Sequence, residues 1–316
     1  MIIKKNNNYN GILCVDKPAG FTSFDVIAKL RGILHMKRLG HAGTLDPMAT
    51  GVLPVFVGYA TKACHILPDE SKTYLAGFQL GQTSDTQDAT GTILETRDFF
   101  GISQQDILKA IPSGNIMQIP PMYSAVSVNG KRLYELARAG KEIERPAKQV
   151  SVNILSFPEF DPVSGMGIIE IHCSKGTYIR TILHDMGQNL GCGAMMTSLR
   201  RTAAGGFTLN NCHTLEEIQE LANPNQEQDQ IPEILKSLAE VFQDLPRIQL
   251  NKSQTKLYRN GVKLSLSELN IPETESKQYA VYGTISGGFL GIAVTDPEQH
   301  CLRVFRNLCP PDEVQT

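Results

Sequence analysis

The chain has 316 residues, 41% of them hydrophobic and 20% charged, the composition of a globular protein with room for two domains. No run of about 20 apolar residues could span a bilayer. The N-terminus, Met-Ile-Ile-Lys-Lys-Asn-Asn-Asn, lacks the apolar stretch of a secretory signal, so the expected location is cytoplasmic. A formal charge of −2 does not advertise a nucleic-acid binder, yet residues 215–244 hold eight acids against Lys236 alone, which leaves +5 for the rest of the chain.

Residues 11–18 read as a short apolar strand that ends in a turn at Pro18. Thr22 and Asp25 are spaced as a capping box, and Ile27, Leu30 and Leu34 give the helix that follows one apolar face. Residues 40–55, Gly-His-Ala-Gly-Thr-Leu-Asp-Pro-Met-Ala-Thr-Gly-Val-Leu-Pro-Val, differ in character at their two ends. Gly43 and Gly51 permit backbone angles that other residues resist, and Pro47 pushes Asp46 out of the helical region. Val52 to Val57 is apolar and β-branched, a strand entering a core. Asp46 is thus a lone carboxylate on a tight loop anchored to a buried strand. That pattern suits a plain turn or a scaffold presenting a reactive group. No Gly-Lys-Ser/Thr follows to make a phosphate-binding loop.

Residues 60–67 read as a short helix, and 72–80 as a half-buried strand with Tyr74, Ala76, Phe78 and Leu80 on one face. The polar loop 81–91 carries Asp85 and Asp88 without EF-hand spacing. A helix over 103–111 opens with Ser103 and Asp106, and 131–140 reads as a basic helix with Gly140 just past its end. Strands are predicted over 149–157 and 166–173. His172 and Cys173 fall on opposite faces of the latter with no ligand spacing, so no metal site is expected. The seven cysteines form no C-x-x-C pair, and their odd number favours reduced thiols. Gly176 turns the chain into a helix beginning near Tyr178. Helices at 215–221 and 231–241 flank a polar break. Short strands follow at 247–250, 279–285, 289–294 and 301–305, with Asn260-Gly261 and Gly287-Gly288 as tight turns, in the order of a small β-barrel.

The 40–55 loop resembles the catalytic loop of the TruB family, the tRNA pseudouridine-55 synthases. Other stretches resemble the family in the same order: Val-Asp-Lys-Pro-Ala-Gly-Phe-Thr-Ser at 15–23, Lys-Thr-Tyr at 72–74, the 81–91 loop with Ser84 in place of a threonine, Gln-Ile-Pro-Pro-Met-Tyr-Ser-Ala at 118–125, Cys-Ser-Lys-Gly-Thr-Tyr-Ile-Arg-Thr at 173–181 and Leu-Arg-Arg-Thr-Ala-Ala-Gly-Gly-Phe at 199–207. The resemblance implies an α+β fold: a mixed, largely antiparallel sheet flanked by helices and loops, with a small C-terminal PUA-like β-barrel. It places a catalytic domain at 1–244, a thumb-like RNA-binding insertion within it at 119–148, and an RNA-binding module at 245–316.

By the same resemblance the substrate is the T-loop uridine at position 55 of elongator tRNAs, isomerised to pseudouridine. Asp46 carries the chemistry and Arg180 is its partner. Tyr74 stacks on the uracil, with its phenol near the C5 proton, and Leu199 is the apolar floor. His41 refills the space left by the flipped base, Tyr178 positions the Asp46–Arg180 pair, Lys17 supports the loop, and Arg200 is a further substrate contact. The implied partner is the tRNA T-stem and T-loop, met by a monomer without guide RNA or membrane. No metal or other cofactor is implied, because the reaction has no net gain or loss. Two alternatives stay open on the sequence: a non-catalytic tRNA-folding chaperone on the same scaffold, and a guide-RNA-dependent relative.

Overall fold

A computed structural model describes residues 8–310 except 125, 129, 224–227, 273–275 and 285–287. Strand β1 (Gly11–Lys17) leads to helix α1 (Ser23–Leu34), short strand β2 (Leu39–His41) and strand β3 (Thr50–Val57). A 3-10 segment at Gly58–Ala63 precedes β4 (Lys72–Leu80), the hairpin of β5 (Gln82–Ser84) and β6 (Ile93–Thr96), helix α2 (Gln104–Ala110) and β7 (Gly114–Gln118). A second small hairpin, β8 (Ser127–Val128) and β9 (Lys131–Arg132), runs into α3 (Leu133–Arg138). Then come β10 (Lys148–Asp161), β11 (Met166–Cys173), α4 (Ile179–Leu190), β12 (Ala194–Ala204) and β13 (Phe207–Thr208). The main sheet has nine strands in the order β1-β3-β12-β4-β11-β10-β7, with β2 on β3 and β13 on β12. Every pairing in it is antiparallel except β3 with β12.

β1 from Ile12 to Val15 and β3 from Val52 to Val57 are apolar because both of their faces are covered. Leu13, Val15, Leu53, Val55 and Val57 pack against α1 and helix α5 (Leu215–Leu221). Ile12, Cys14, Val52 and Phe56 face the other way, towards Leu238, Phe242, Ile292 and Leu308. Tyr74, Ala76, Phe78 and Leu80 share the face of β4 that meets Ile107 of α2 and Ile182, Leu183 and Met186 of α4. The parallel step β3–β12 sits beside the Asp46 loop. There Gly51 has φ 102° and lies opposite Arg201, and a Cβ at Gly51 would stand 2.1 Å from the Arg201 carbonyl oxygen. Only glycine allows that approach.

The acidic segment supplies α5, α6 (Ile231–Ile234) and α7 (Leu238–Val241). The second sheet holds β14 (Arg247–Leu250), β15 (Leu264–Ser265), β16 (Gln278–Gly283), β17 (Phe289–Asp296) and β18 (Cys301–Asn307), in the order β14-β16-β17-β18-β15, with helix α8 (Lys252–Arg259) following β14. It curls around Ile248, Leu250, Tyr258, Val281 and Leu302 as a half-barrel. Rings of Phe242 and Phe289, 6.0 Å apart, pack it on the main body.

Four local expectations are corrected. Residues 60–67 hold a 3-10 segment that ends at Ala63 rather than a helix. The basic stretch 131–140 is not one helix: Lys131 and Arg132 pair with Val128 and Ser127, so α3 starts only at Leu133. Helix 231–241 is cut in two because Lys236 exchanges two backbone hydrogen bonds with Ile12, 2.8 and 2.9 Å, as a strand residue would. Asn260-Gly261 closes α8 as a helix end with Gly261 at φ 77°, instead of turning a hairpin. The expected Gly287-Gly288 turn lies partly outside the described residues. Among the described residues no helix is long and apolar enough to cross a membrane.

Candidate active site

Asp46 lies between β2 and β3, in a loop held on several sides. Its carbonyl accepts the Ala49 N–H at 3.0 Å, closing a tight turn around Pro47. The Ser23 hydroxyl, at the start of α1, accepts the Leu45 N–H at 2.9 Å and donates to the Leu45 carbonyl at 3.3 Å. Gly20 N–H donates to the Pro47 carbonyl at 2.8 Å. Lys17, fully buried at the end of β1, donates its Nζ to the carbonyls of Pro18 (2.8 Å), Phe21 (2.6 Å) and Pro47 (3.3 Å). Burial brings the Lys17 ammonium down to about 8, against a partial pull upward from Asp46. On the opposite side Arg201 donates Nη2 to the Gly43 carbonyl at 2.9 Å and Nε to the Val52 carbonyl at 2.7 Å.

The loop presents Asp46 to a cavity of about 500 Å³ that is also lined by His41, Tyr74, Tyr178, Arg180 and Leu199. Arg180, in the first turn of α4, places Nη2 3.0 Å from Asp46 Oδ2. The same guanidinium turns Nη1 to Asp88 Oδ2 at 3.5 Å and donates Nη2 to the Tyr123 carbonyl at 2.8 Å. Asp88 is buried and held by Thr86 Oγ1 (2.8 Å), Thr90 Oγ1 (2.5 Å) and the Thr90 N–H (3.0 Å). Burial pushes the Asp46 carboxyl above the usual carboxylate range; Arg180 pulls it back, Asp88 adds a like charge that raises it, and Lys17 lowers it. The Asp46 side chain is still 38% exposed, open to a reactant, whereas Arg180 is 7% exposed and fixed.

Tyr74 on β4 and Leu199 on β12 form an aromatic and an aliphatic wall; Leu199 lies opposite Ala76, and Tyr74 opposite Arg201, in the same strand pairing. Burial raises the Tyr74 phenol and Arg201 opposes that rise. Tyr178 caps α4, and its backbone is held on both sides by Gln118 of β7, Tyr178 N–H to Oε1 at 2.8 Å and Nε2 to the Tyr178 carbonyl at 3.1 Å. His41 ends β2 with Nδ1 buried and without a hydrogen bond. Burial, and secondarily Arg201, keep its imidazole below the usual value.

Of the eight residues expected in the site, six line this cavity and two do not. Lys17 lies under the loop. Arg200 faces away from the cavity and pairs with Asp16 at 2.7 and 3.2 Å and with Thr50 Oγ1 at 3.3 Å. The sequence reading passed over Asp88, Gln118 and Arg201. Parity on β12 carried a signal for the last: Leu199 and Arg201, two residues apart, share a face, and Arg200 takes the other. At the cavity mouth Lys175 pairs with the Glu70 carboxylate, and Lys72 Nζ donates to the Glu70 carbonyl at 2.6 Å. No group of three or more His, Cys, Asp or Glu with metal-ligand geometry occurs among the described residues.

The site therefore combines one carboxylate paired to a permanent cation, a phenol over an aliphatic floor, and a cavity within the span of ligand sites generally. A model of the TruB family pseudouridylate synthase N-terminal domain matches residues 31–179, and a model of the tRNA pseudouridylate synthase B C-terminal domain matches residues 180–245. The chain is 42% identical over 254 residues to tRNA pseudouridine synthase B of Clostridioides difficile, covering 80% of this chain and 83% of the relative. It is 38% identical over 295 residues to tRNA pseudouridine synthase B of Pasteurella multocida, covering 93% and 94%. Among solved structures it superposes on a chain of an H/ACA RNP bound to a substrate RNA containing 2'-deoxyuridine, with TM-score 0.70 and 21% identity over 96% of this chain and 86% of that one. A chain of an archaeal box H/ACA sRNP complex gives TM-score 0.69 and 23% identity over 96% and 88%, a likeness of fold. By its matched models and its relatives, the chain belongs to the TruB family of pseudouridylate synthases.

Proposed function

We propose that the chain is a tRNA pseudouridine synthase that acts on the T-loop uridine at position 55 of elongator tRNAs. The observation that carries the reading is the Asp46–Arg180 pair, 3.0 Å apart, facing a cavity walled by Tyr74 and Leu199. The reaction breaks N1–C1′, turns the uracil and joins C5 to C1′; C5 gives up one proton and N1 gains one. Atoms and electrons balance within the nucleoside, so the chemistry calls for no redox partner, nucleotide or metal.

A uridine inside a folded loop must be flipped out to reach the carboxylate, at a cost of roughly a few kcal/mol. His41 refills the vacated stack as a neutral ring. Tyr74 and Leu199 sandwich the flipped uracil and leave it free to turn in its own plane. Asp46, ionised beside Arg180, acts on the sugar as the glycosidic bond opens. Tyr178 and Asp88 fix Arg180, and Lys17 fixes the loop. Arg200 and the Lys72–Lys175 side of the cavity mouth meet the RNA backbone. The 119–148 insertion covers the T-stem, and residues 245–316, to which the second sheet belongs, form the RNA-binding module beside a catalytic domain at 1–244. The enzyme works in the cytoplasm as a monomer without guide RNA, since its own insertion supplies the grip on the stem.

The test is to incubate unmodified elongator tRNA with the purified chain, treat it with a carbodiimide that adds to pseudouridine, and read reverse-transcription stops. One new stop at the T-loop uridine supports the assignment. A stop elsewhere would overturn the substrate, and no stop would overturn the activity.

A further inference from the structure

Arg201 is the largest fully buried side chain among the described residues, and its surroundings are unusual for a cation. Among the described residues no carboxylate comes within ion-pair distance of it. Its partners are two backbone carbonyls, Gly43 at 2.9 Å and Val52 at 2.7 Å, on the two arms of the loop that carries Asp46. Its Nη1 is buried without a hydrogen bond. That nitrogen adjoins Gly43, where a Cβ would stand 3.2 Å from it. Across the strand pair Arg201 lies directly opposite Tyr74, and the ladder is irregular between Arg201 and Ala203. Irregular pairing of this kind re-aims side chains beside active sites. Burial, and after it the charge of Arg201, pushes the neighbouring Lys17, His41 and Lys72 towards their neutral forms.

A buried cation without an anion is costly to keep, and an apolar residue of similar volume would serve packing better. The guanidinium has a geometric use that no other side chain meets. Its rigid fork reaches Gly43 and Val52 together, whereas an ammonium is a single point on a flexible stem. We infer that Arg201 is a positioning residue for the isomerisation: it ties the two arms of the Asp46 loop together behind Tyr74 and keeps carboxylate and phenol in register while the uracil turns between them. The inference rests on the pseudouridine synthase reading of the site.

The test uses the full chain as wild type, Arg201→Lys, Tyr74→Phe and the double variant. Single-turnover tritium release from tRNA labelled at uridine C5 is measured with tRNA affinity and the urea midpoint. A misplacement of about 1 Å costs on the order of 10²-fold in rate. Folded Arg201→Lys is therefore expected to release tritium about 100-fold more slowly, with tRNA affinity within about threefold of wild type. The double variant is expected to lose less than the product of the two single losses, because Arg201 and Tyr74 are direct cross-strand neighbours beside the same loop. A purely structural role would lower the urea midpoint and the active fraction while leaving the rate of the active molecules unchanged, and would overturn the inference. So would a rate loss matched by an equal loss of affinity, or full additivity with Tyr74→Phe. If Arg201→Lys does not fold, Gly43→Ala presses the same contact from the other side, at 3.2 Å from Nη1 and 3.1 Å from Lys72 Cε, and is expected to slow release with affinity kept; an unchanged rate in that folded variant overturns the inference. Absence of tritium release from wild type would instead overturn the activity itself.

Discussion

Lys17 offers the most quantitative test of how the loop is held. The fully buried ammonium titrates at about 8 instead of 10.5, and it grips the carbonyls of Pro18, Phe21 and Pro47. Displacing the value that far corresponds to about 3 kcal/mol of folding free energy. The sign follows from proton counts. Between pH 8 and 10.5 the unfolded chain holds a proton on Lys17 that the folded chain lacks. The cost of burying the charge is therefore full below pH 8 and vanishes above 10.5. Urea unfolding of wild type and Lys17→Met should show wild type gaining on the variant by about 2–3 kcal/mol as pH rises from about 7.5 to about 10. Groups that titrate alike in both proteins cancel in the difference. Turnover by wild type should fall on the alkaline side of pH 8, as the charge-assisted hold on the loop is lost, and Lys17→Met should be slower with no such limb. A stability difference flat across this range would refute the claim that Lys17 carries a buried charge.

Three further outcomes are expected. Gly51→Ala puts a Cβ 2.1 Å from the Arg201 carbonyl at a φ of 102°, so it should lower the urea stability by about 3 kcal/mol or more and slow turnover, since strands β3 and β12 must part beside the loop. Asp88→Asn removes one of two carboxylates facing Arg180. It should cost about 3 kcal/mol in unfolding, the low end for a broken buried pair, and move the acid limb of the activity profile to lower pH, because the Asp88 charge raises the Asp46 carboxyl. Lys175→Gln opens the exposed pair with Glu70 at the cavity mouth. It should leave stability within about 0.5 kcal/mol, weaken tRNA binding and reduce the salt dependence of affinity by about one ion, read by filter binding across salt.

What the sequence made legible was local chemistry with a single solution. The Thr22–Asp25 and Ser103–Asp106 capping boxes, the alternation of β4 and the apolar run of β3 each appear as read. They are legible because period and capping depend on neighbours in the chain. Helix 231–241 failed for the opposite reason: Lys236 prefers a backbone pairing with Ile12, more than two hundred residues away, and no local pattern announces it. Asn260-Gly261 satisfies both a hairpin turn and a helix end, and only the packing of Tyr258, whose hydroxyl donates to the Ile292 carbonyl at 3.1 Å, decides between them.

The site divides in the same way. Residues that face the cavity were marked by the family resemblance of the Asp46 loop, β4, the start of α4 and β12, and His41, Asp46, Tyr74, Tyr178, Arg180 and Leu199 do converge. Residues that hold them in place were not visible. Asp88 looked like part of a polar loop, and its meeting with Arg180 joins positions 92 residues apart. Gln118 braces Tyr178 across 60 residues. Arg201 was overshadowed by its neighbour Arg200, although the alternation on β12 sends the two to opposite faces.

In the proposed reaction Asp46, set against Arg180, performs the isomerisation. The most direct test of that role is tritium release from elongator tRNA labelled at uridine C5, with wild type and Asp46→Asn compared alongside tRNA affinity, in the absence of metal and nucleotide. Release by wild type alone, with affinity of the variant within about threefold, is the predicted result. Release by Asp46→Asn at the wild-type rate, or none by wild type while tRNA still binds tightly, would contradict the claim.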